Sequence, residues 1–162
     1  MTQSYHISKP GFEKLLEEFR VLQEEKLPVI LDAVSRARAH GDLRENGEYH
    51  AARQEQRTVN DRLDYLSVLI KQARIVEPSE KEKEGVKIVR FGSKVKIEDE
   101  KGAVKEFTIV GEYESDVERK MLSINSPLAR SCIGKEMCEI IYCKTPTGER
   151  EYEIIEISSG LW

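Results

Sequence analysis

The apolar positions follow two different periods along the chain, and the change falls near Pro78. In the first half, Phe12, Leu15, Phe19 and Leu22 recur at three- and four-residue intervals, the stripe of an amphipathic helix. The stripe skips one residue and resumes at Leu27, Ile30, Val34 and Ala37, with Pro28 at the skip. A proline there removes one intrahelical hydrogen bond. A bend is expected rather than a stop, because the stripe continues beyond it. Ser8 is a favourable N-cap for this helix, and Pro10 is tolerated in a first turn. A second stripe of Ala52, Gln56, Val59, Leu63, Leu66, Ile70 and Ala73 keeps a four-three spacing. Together they predict an antiparallel coiled-coil hairpin whose helices hold about 30 residues each, about 45 Å at 1.5 Å per residue. Gly41 is placed to end the first helix, and the turn runs from His40 to Asn46.

Beyond the polar, charged stretch Pro78-Ser-Glu-Lys-Glu-Lys-Glu-Gly85 the pattern shortens to strand-like runs. Val86 to Phe91, Ser93 to Glu98, Val104 to Val110, Met121 to Asn125, Glu136 to Cys143 and Glu151 to Ile157 are expected strands. A turn lies at Asp99 to Gly102 and another at Thr145 to Gly148. Ser126-Pro127 starts a short helix through Cys132, which Gly134 ends. The predicted fold class is therefore α+β. A helical hairpin occupies residues 1–78 with its tip at about 40–46, a linker 79–85, and an α+β globular domain 86–162.

Composition narrows the function classes. A net charge of −4 over 162 residues argues against wholesale coating of nucleic acid, so any such contact is local or made through a partner. No apolar run approaches the roughly 20 residues of a membrane span, and Met1 to Pro10 has no apolar core of a secretory signal, so a cytoplasmic protein is expected. Cys132, Cys138 and Cys143 form no C-x-x-C pair; buried, reduced thiols are expected rather than zinc or disulfides. Gly-rich phosphate loops and the G-x-S-x-G and H-E-x-x-H motifs are absent from the sequence.

The chemistry concentrates at the hairpin turn. Asp42 and Glu45 have the D-x-x-E spacing of a capping box, in which Asp42 accepts from the Glu45 backbone and Glu45 reaches back. The same two carboxylates, carried at the end of a rod, suit a second role. Two oxygen donors cannot build a magnesium site alone, because the ion wants six ligands. They can complete a site whose other ligands belong to a partner, as in two-metal phosphodiester hydrolysis. Arg36, Arg38, Arg44, Arg53 and Arg57 surround them, either as solvated surface charges or as a patch that steers a phosphate backbone. Arg53 and Arg57 share a helical face. His40 suits the negative end of the first helix. Tyr49 either packs against the turn or stacks on a base.

The segment Ala37-Arg-Ala-His-Gly-Asp-Leu-Arg-Glu-Asn-Gly-Glu-Tyr-His-Ala-Ala-Arg53 closely resembles the tip of the bacterial Gre family of transcript cleavage factors, in its GreA branch. Ser123-Ile-Asn-Ser-Pro-Leu-Ala-Arg-Ser-Cys-Ile-Gly-Lys135 and Lys144-Thr-Pro-Thr-Gly-Glu149 resemble that family's C-terminal signatures, and the resemblance covers nearly the whole chain. It implies an FKBP-like C-terminal domain that docks on backtracked bacterial RNA polymerase at the rim of the secondary channel, with the coiled coil passing down the channel. It further implies that Asp42 and Glu45 help hold a second Mg²⁺ and the attacking water in the polymerase's own active centre, so that the polymerase cuts the nascent RNA 3′ end. The factor then has no cofactor of its own and no activity alone, and is expected as a monomer without membrane attachment. By match to the motif, Arg38 and Arg53, with Arg57 and Tyr49 beside them, fall where the family contacts RNA. Asp116, Ser123 and Pro127 fall in its docking segment. Glu48-Tyr-His-Ala-Ala-Arg53 favours GreA over its sister GreB, which implies short cleavage products. Gly47 stands where the family pattern suggests alanine, a departure expected to cost about 1 kcal/mol in a helix interior. Two other readings remain: a channel-binding protein of the same shape that inhibits, and an FKBP-like prolyl isomerase with a helical appendage.

Overall fold

A computed structural model describes residues 4–77 and 88–161. The expected linker 79–85 and the first two residues of the expected strand at Val86 lie outside the described residues. The described residues divide into two compact units: one holds residues 12–73, the other 4–11 together with 74–77 and 88–161.

The first unit is a helical hairpin. Helix α1 (Lys9–Arg20) opens with Ser8, whose hydroxyl accepts from the Gly11 amide at 3.1 Å, as the sequence predicts. It runs without a break through a π-helical segment, Val21–Lys26, into α2 (Leu27–Ala39). The one-residue skip in the apolar stripe is this π turn: Leu22 and Leu27 are five apart, and the Leu27 amide donates to the Leu22 carbonyl. The expected bend is thus absorbed by a widened turn just before Pro28, which lies in the first turn of α2, where its missing N–H matters least. Arg20 reaches back to Glu17 (2.8 Å) and forward into the widened turn to Glu24 (3.4 Å) and Glu25 (3.0 Å).

Helix α3 (Gly47–Gln72) has 26 residues, about 39 Å at 1.5 Å per residue. It is shorter than expected because Ala73 leaves the helix to start a strand. Leu22, Ile30 and Val34 pack against Ala52, Val59 and Leu66, with Leu15, Phe19, Leu27, Ala33, Tyr49 and Leu63 flanking them. The pairing is antiparallel, since Asn46 meets Ala37 beside the turn while Arg62 meets Glu18 (2.7 Å) far from it.

Two strands absent from the sequence reading, β1 (Tyr5–Ser8) and β2 (Ala73–Val76), pair with each other. They move the boundary expected at residue 78: residues 4–11 and 74–77 group with the C-terminal unit. Long-range contacts cause this. Tyr5 meets Tyr113 edge to face at 4.7 Å between ring centroids. The Glu114 carboxylate accepts from the amides of Ser8 (3.0 Å) and Gly111 (3.1 Å) and from the Ser8 hydroxyl. A Cβ on Gly111 would lie 2.4 Å from the His6 carbonyl oxygen, so only glycine fits.

The C-terminal sheet has the order β5-β4-β3-β7-β6, with β3 (Ser93–Asp99), β4 (Val104–Val110), β5 (Met121–Ser123), β6 (Ile140–Thr145) and β7 (Gly148–Ser159). Only the β4–β5 pair is parallel. Ile155 is the extra residue of a bulge on β7, opposite Lys96 and Ile97. Helix α4 (Pro127–Cys132), capped by Ser126, contributes Ala129 and Cys132 to a core with Val95, Ile97, Phe107, Ile109 and Ile154. Ile88 to Phe91 contributes a single bridge, Ile88 with Glu136, rather than the expected strand.

Cys132 and Cys143 are buried as expected, but Cys138 is exposed, on a left-handed backbone (φ +67°) in the turn before β6. Burial, reinforced by the neighbouring Cys143, pushes the Cys132 thiol up to about 12. An alkylating reagent at pH 8 will therefore label Cys138 alone in the folded chain, with Cys132 and Cys143 reacting only after denaturation. Peptide mass mapping reads this out. Replacing Glu114 with Ala strands the Ser8 and Gly111 donors and is expected to destabilise the C-terminal unit by about 2 kcal/mol in urea unfolding.

Candidate functional site

The turn between α2 and α3 is built from the end of one helix and the start of the next. Helix α2 closes at His40, whose amide donates to the Ala37 carbonyl at 3.2 Å, and Gly41 follows at φ +119°, where a side chain would be strained. Asp42, Leu43, Arg44 and Glu45 then form an exposed loop. The Asp42 Oδ1 accepts from the Arg44 amide at 2.9 Å, a local Asx turn. The Arg44 carbonyl lies 3.4 Å from His50 Nε2.

The expected capping box does not form. Helix α3 starts at Gly47, and its cap is Asn46, whose Oδ1 accepts from the Tyr49 amide at 3.0 Å. The chain needs four residues after Gly41 to reverse, so Asp42 and Glu45 lie too early to cap. Their carboxylates stay exposed: Asp42 has one oxygen on its own turn, and Glu45 makes no hydrogen bond or ion pair among the described residues. Leu43 stands between them, 38% exposed.

The five arginines differ in how they are held. Arg36 pairs with Asp32 at 3.0 Å in an exposed i,i+4 bridge that contributes little. Arg38 lies 5.9 Å over the Tyr49 ring. Arg53 is half-buried and donates to Gln56 at 2.6 Å, while Arg57, one turn further along the same helical face, is exposed. Arg44 and Arg57 have exposed side chains without a partner among the described residues. Tyr49 is half-buried against the hairpin core and touches His50 edge-on at 5.7 Å.

In the second unit, Asp116, Ser123 and Pro127 fall in one tightly turned segment. Asp116 Oδ1 accepts from the amides of Glu118 (3.0 Å) and Arg119 (3.2 Å), and the Asp116 backbone bridges Met121. Ser123 Oγ accepts from the Asn125 amide at 3.2 Å. Pro127 is exposed at the start of α4. The sequence reading missed Val117, 94% exposed between Asp116 and Glu118; an apolar residue isolated in the polar run Glu114 to Lys120 was its available signal.

No group of three or more His, Cys, Asp or Glu placed to hold a metal occurs among the described residues. No helix among them is long and apolar enough to cross a membrane.

Two family patterns match in chain order: one described as "Transcription elongation factor, N-terminal" over residues 5–75, and one described as "Transcription elongation factor, GreA/GreB, C-term" over residues 74–159. The chain is 42% identical to the transcription elongation factor GreA of Alkalilimnicola ehrlichii over 148 residues, 91% of this chain and 92% of that protein. It is likewise 42% identical to the GreA of Nitratiruptor sp. over 158 residues, 97% of this chain and 94% of that protein. Among solved structures, GreA factor homolog 1 of Thermus thermophilus is 24% identical, covering 97% of this chain and 100% of that chain at a TM-score of 0.44.

Gly47 proves to be the first residue of α3 rather than an interior one, and a Cβ there would meet nothing within 4 Å. Gly47→Ala is therefore expected to stabilise the hairpin by about 0.5–1 kcal/mol, read as a raised melting temperature. A lowered one would show that the turn needs the glycine.

Proposed function

This chain belongs to the GreA/GreB family of transcription elongation factors, and from that premise we propose that it enters the secondary channel of backtracked bacterial RNA polymerase and stimulates cleavage of the nascent RNA 3′ end by the polymerase. The observation that carries this reading is the release of the tip carboxylates from helix capping. Asn46 does that work, and Asp42 and Glu45 are left exposed on a short loop.

Their chemistry fits a shared Mg²⁺. Carboxylate oxygens are the hard donors the ion prefers, and two of them fill only part of its shell. Asp42 keeps one oxygen on the Arg44 amide and offers the other, while Glu45 offers both. Asp42 and Glu45 would hold part of the shell of a Mg²⁺ in a partner's active centre, and the ion would supply polarisation of a phosphodiester oxygen and a more acidic water there. This chain's part is to bring two anions to that place and hold them there. Arg44 and Arg57, whose exposed side chains have no partner among the described residues, steer the RNA phosphates; Arg38, exposed over the Tyr49 ring, and the half-buried Arg53 take the same role once the RNA reaches them. Asp116, Ser123 and Pro127 belong to the segment that docks at the channel rim, and the C-terminal unit is FKBP-like in this reading. The factor acts as a monomer, in the cytoplasm where the polymerase works, and the released fragments are short. An isomerase role finds little support: the apolar groove beside β4, about 380 Å³, has Phe107 as its one aromatic lining residue, and that ring is buried.

In an assay with stalled elongation complexes, the wild-type factor releases short RNA. Asp42→Asn and Glu45→Gln each slow release by about 10²-fold or more while competing for polymerase as well as the wild type does. Normal cleavage by both variants removes the tip reading, and blocked transcription without shortened RNA makes the protein an inhibitor.

A further inference from the structure

We propose that Asn46 is a positioning residue that fixes the loop carrying Asp42 and Glu45. This rests on the function proposed above. A helix cap needs only a side-chain acceptor, and Ser, Thr or Asp supplies one as well as Asn does. Asn46 does more. While its Oδ1 accepts from the Tyr49 amide at 3.0 Å, its Nδ2 donates at 2.6 Å to the Ala37 carbonyl, nine residues back on the opposing helix. One planar amide therefore ties the last turn of α2 to the first turn of α3. Only a short side chain with a donor and an acceptor can do so; Asp would set oxygen against oxygen, and Ser is too short to reach.

The far end of the tether is firm, because Ala37 is 4% exposed in the helix seam. Both candidate carboxylates lie inside the ring that the tether closes. Glu45 has no side-chain partner among the described residues, so its place is set by its backbone, one residue from the anchor. Within the ring, the Asx turn of Asp42 and the contact of His50 with the Arg44 carbonyl order the remainder. Loosening the tether lets the two anions drift relative to each other while leaving the hairpin seam intact.

The test uses the full chain with Asn46→Ser, which keeps a cap acceptor, and Asn46→Asp, which keeps the cap and turns the donor into an acceptor. Three quantities are measured: amide hydrogen exchange in the free protein, competition for polymerase, and RNA cleavage at saturating factor. For both variants, exchange at Tyr49 stays within about twofold of wild type, since the cap survives. Exchange at Arg44 quickens by about tenfold. Cleavage at saturation falls by about tenfold or more, as expected when reacting groups are misplaced by about 1 Å, and polymerase competition is unchanged. Cleavage within twofold of wild type by both variants overturns the proposal, whatever the exchange shows. So does a parallel loss of polymerase binding and thermal stability, which marks a merely structural role. If the wild type releases no short RNA, the functional reading fails instead. The Arg44 exchange then decides alone: unchanged protection rejects the tether, and faster exchange retains it as the device that orders the loop.

Discussion

A helix as rich in Glu, Arg and Gln as α3 gains little from its own hydrogen bonds in water and is held chiefly by the apolar stripe along one side. That stripe meets its counterpart from α1 and α2 through Leu22, Ile30, Val34, Ala52, Val59 and Leu66. Burying branched side chains at about 25 cal/mol per Å² supplies the driving force, and the spacing of the stripe sets the register. Everything at the turn inherits that register. Ala37 can accept from Asn46 only because the seam places the two helix ends within reach of one amide. The π turn belongs to the same constraint: it inserts the one residue needed to return Leu27 and Ile30 to the seam after Leu22.

At the turn, electrostatics and backbone geometry pull in one direction. Exposed carboxylates among arginines would ordinarily be neutralised by pairing. Here the nearby guanidinium groups have other neighbours or face solvent: Arg36 takes Asp32, Arg38 covers Tyr49, Arg53 takes Gln56. Asp42 and Glu45 therefore remain available to an outside cation. Leaving two anions exposed contributes nothing to the stability of a free hairpin, which is what a site completed by another molecule requires.

Much of this was legible in the sequence, for identifiable reasons. The seam was readable because a buried helix face repeats every three or four residues, and the π turn showed as the five-residue gap from Leu22 to Leu27. Ser8 and Ser126 announced their helices because a short side-chain acceptor before a proline-containing first turn has few other uses. The tip was misread in detail: D-x-x-E matches a capping box, but the local pattern does not say how many residues the chain spends reversing, and Asn46 takes the cap. Strands β1 and β2 were invisible because their pairing, and the Glu114 bonds that hold Ser8, join residues far apart in the chain. The sequence does not place the Tyr49 ring, which packs half-buried against the hairpin core. Asp42 and Glu45 stood out as two carboxylates at the end of an expected rod, and the expectation of a polymerase partner came with the family resemblance.

The central claim is that Asp42 and Glu45 complete a magnesium shell begun by another molecule. The most direct test is a magnesium titration of RNA cleavage in stalled polymerase complexes, with and without saturating factor. The claim predicts that wild-type protein shifts half-maximal cleavage to a lower Mg²⁺ concentration, and that a chain with both acids replaced by their amides binds the polymerase yet leaves the titration where it stands without factor. A wild-type factor that raises the cleavage rate with an unmoved magnesium midpoint would contradict it.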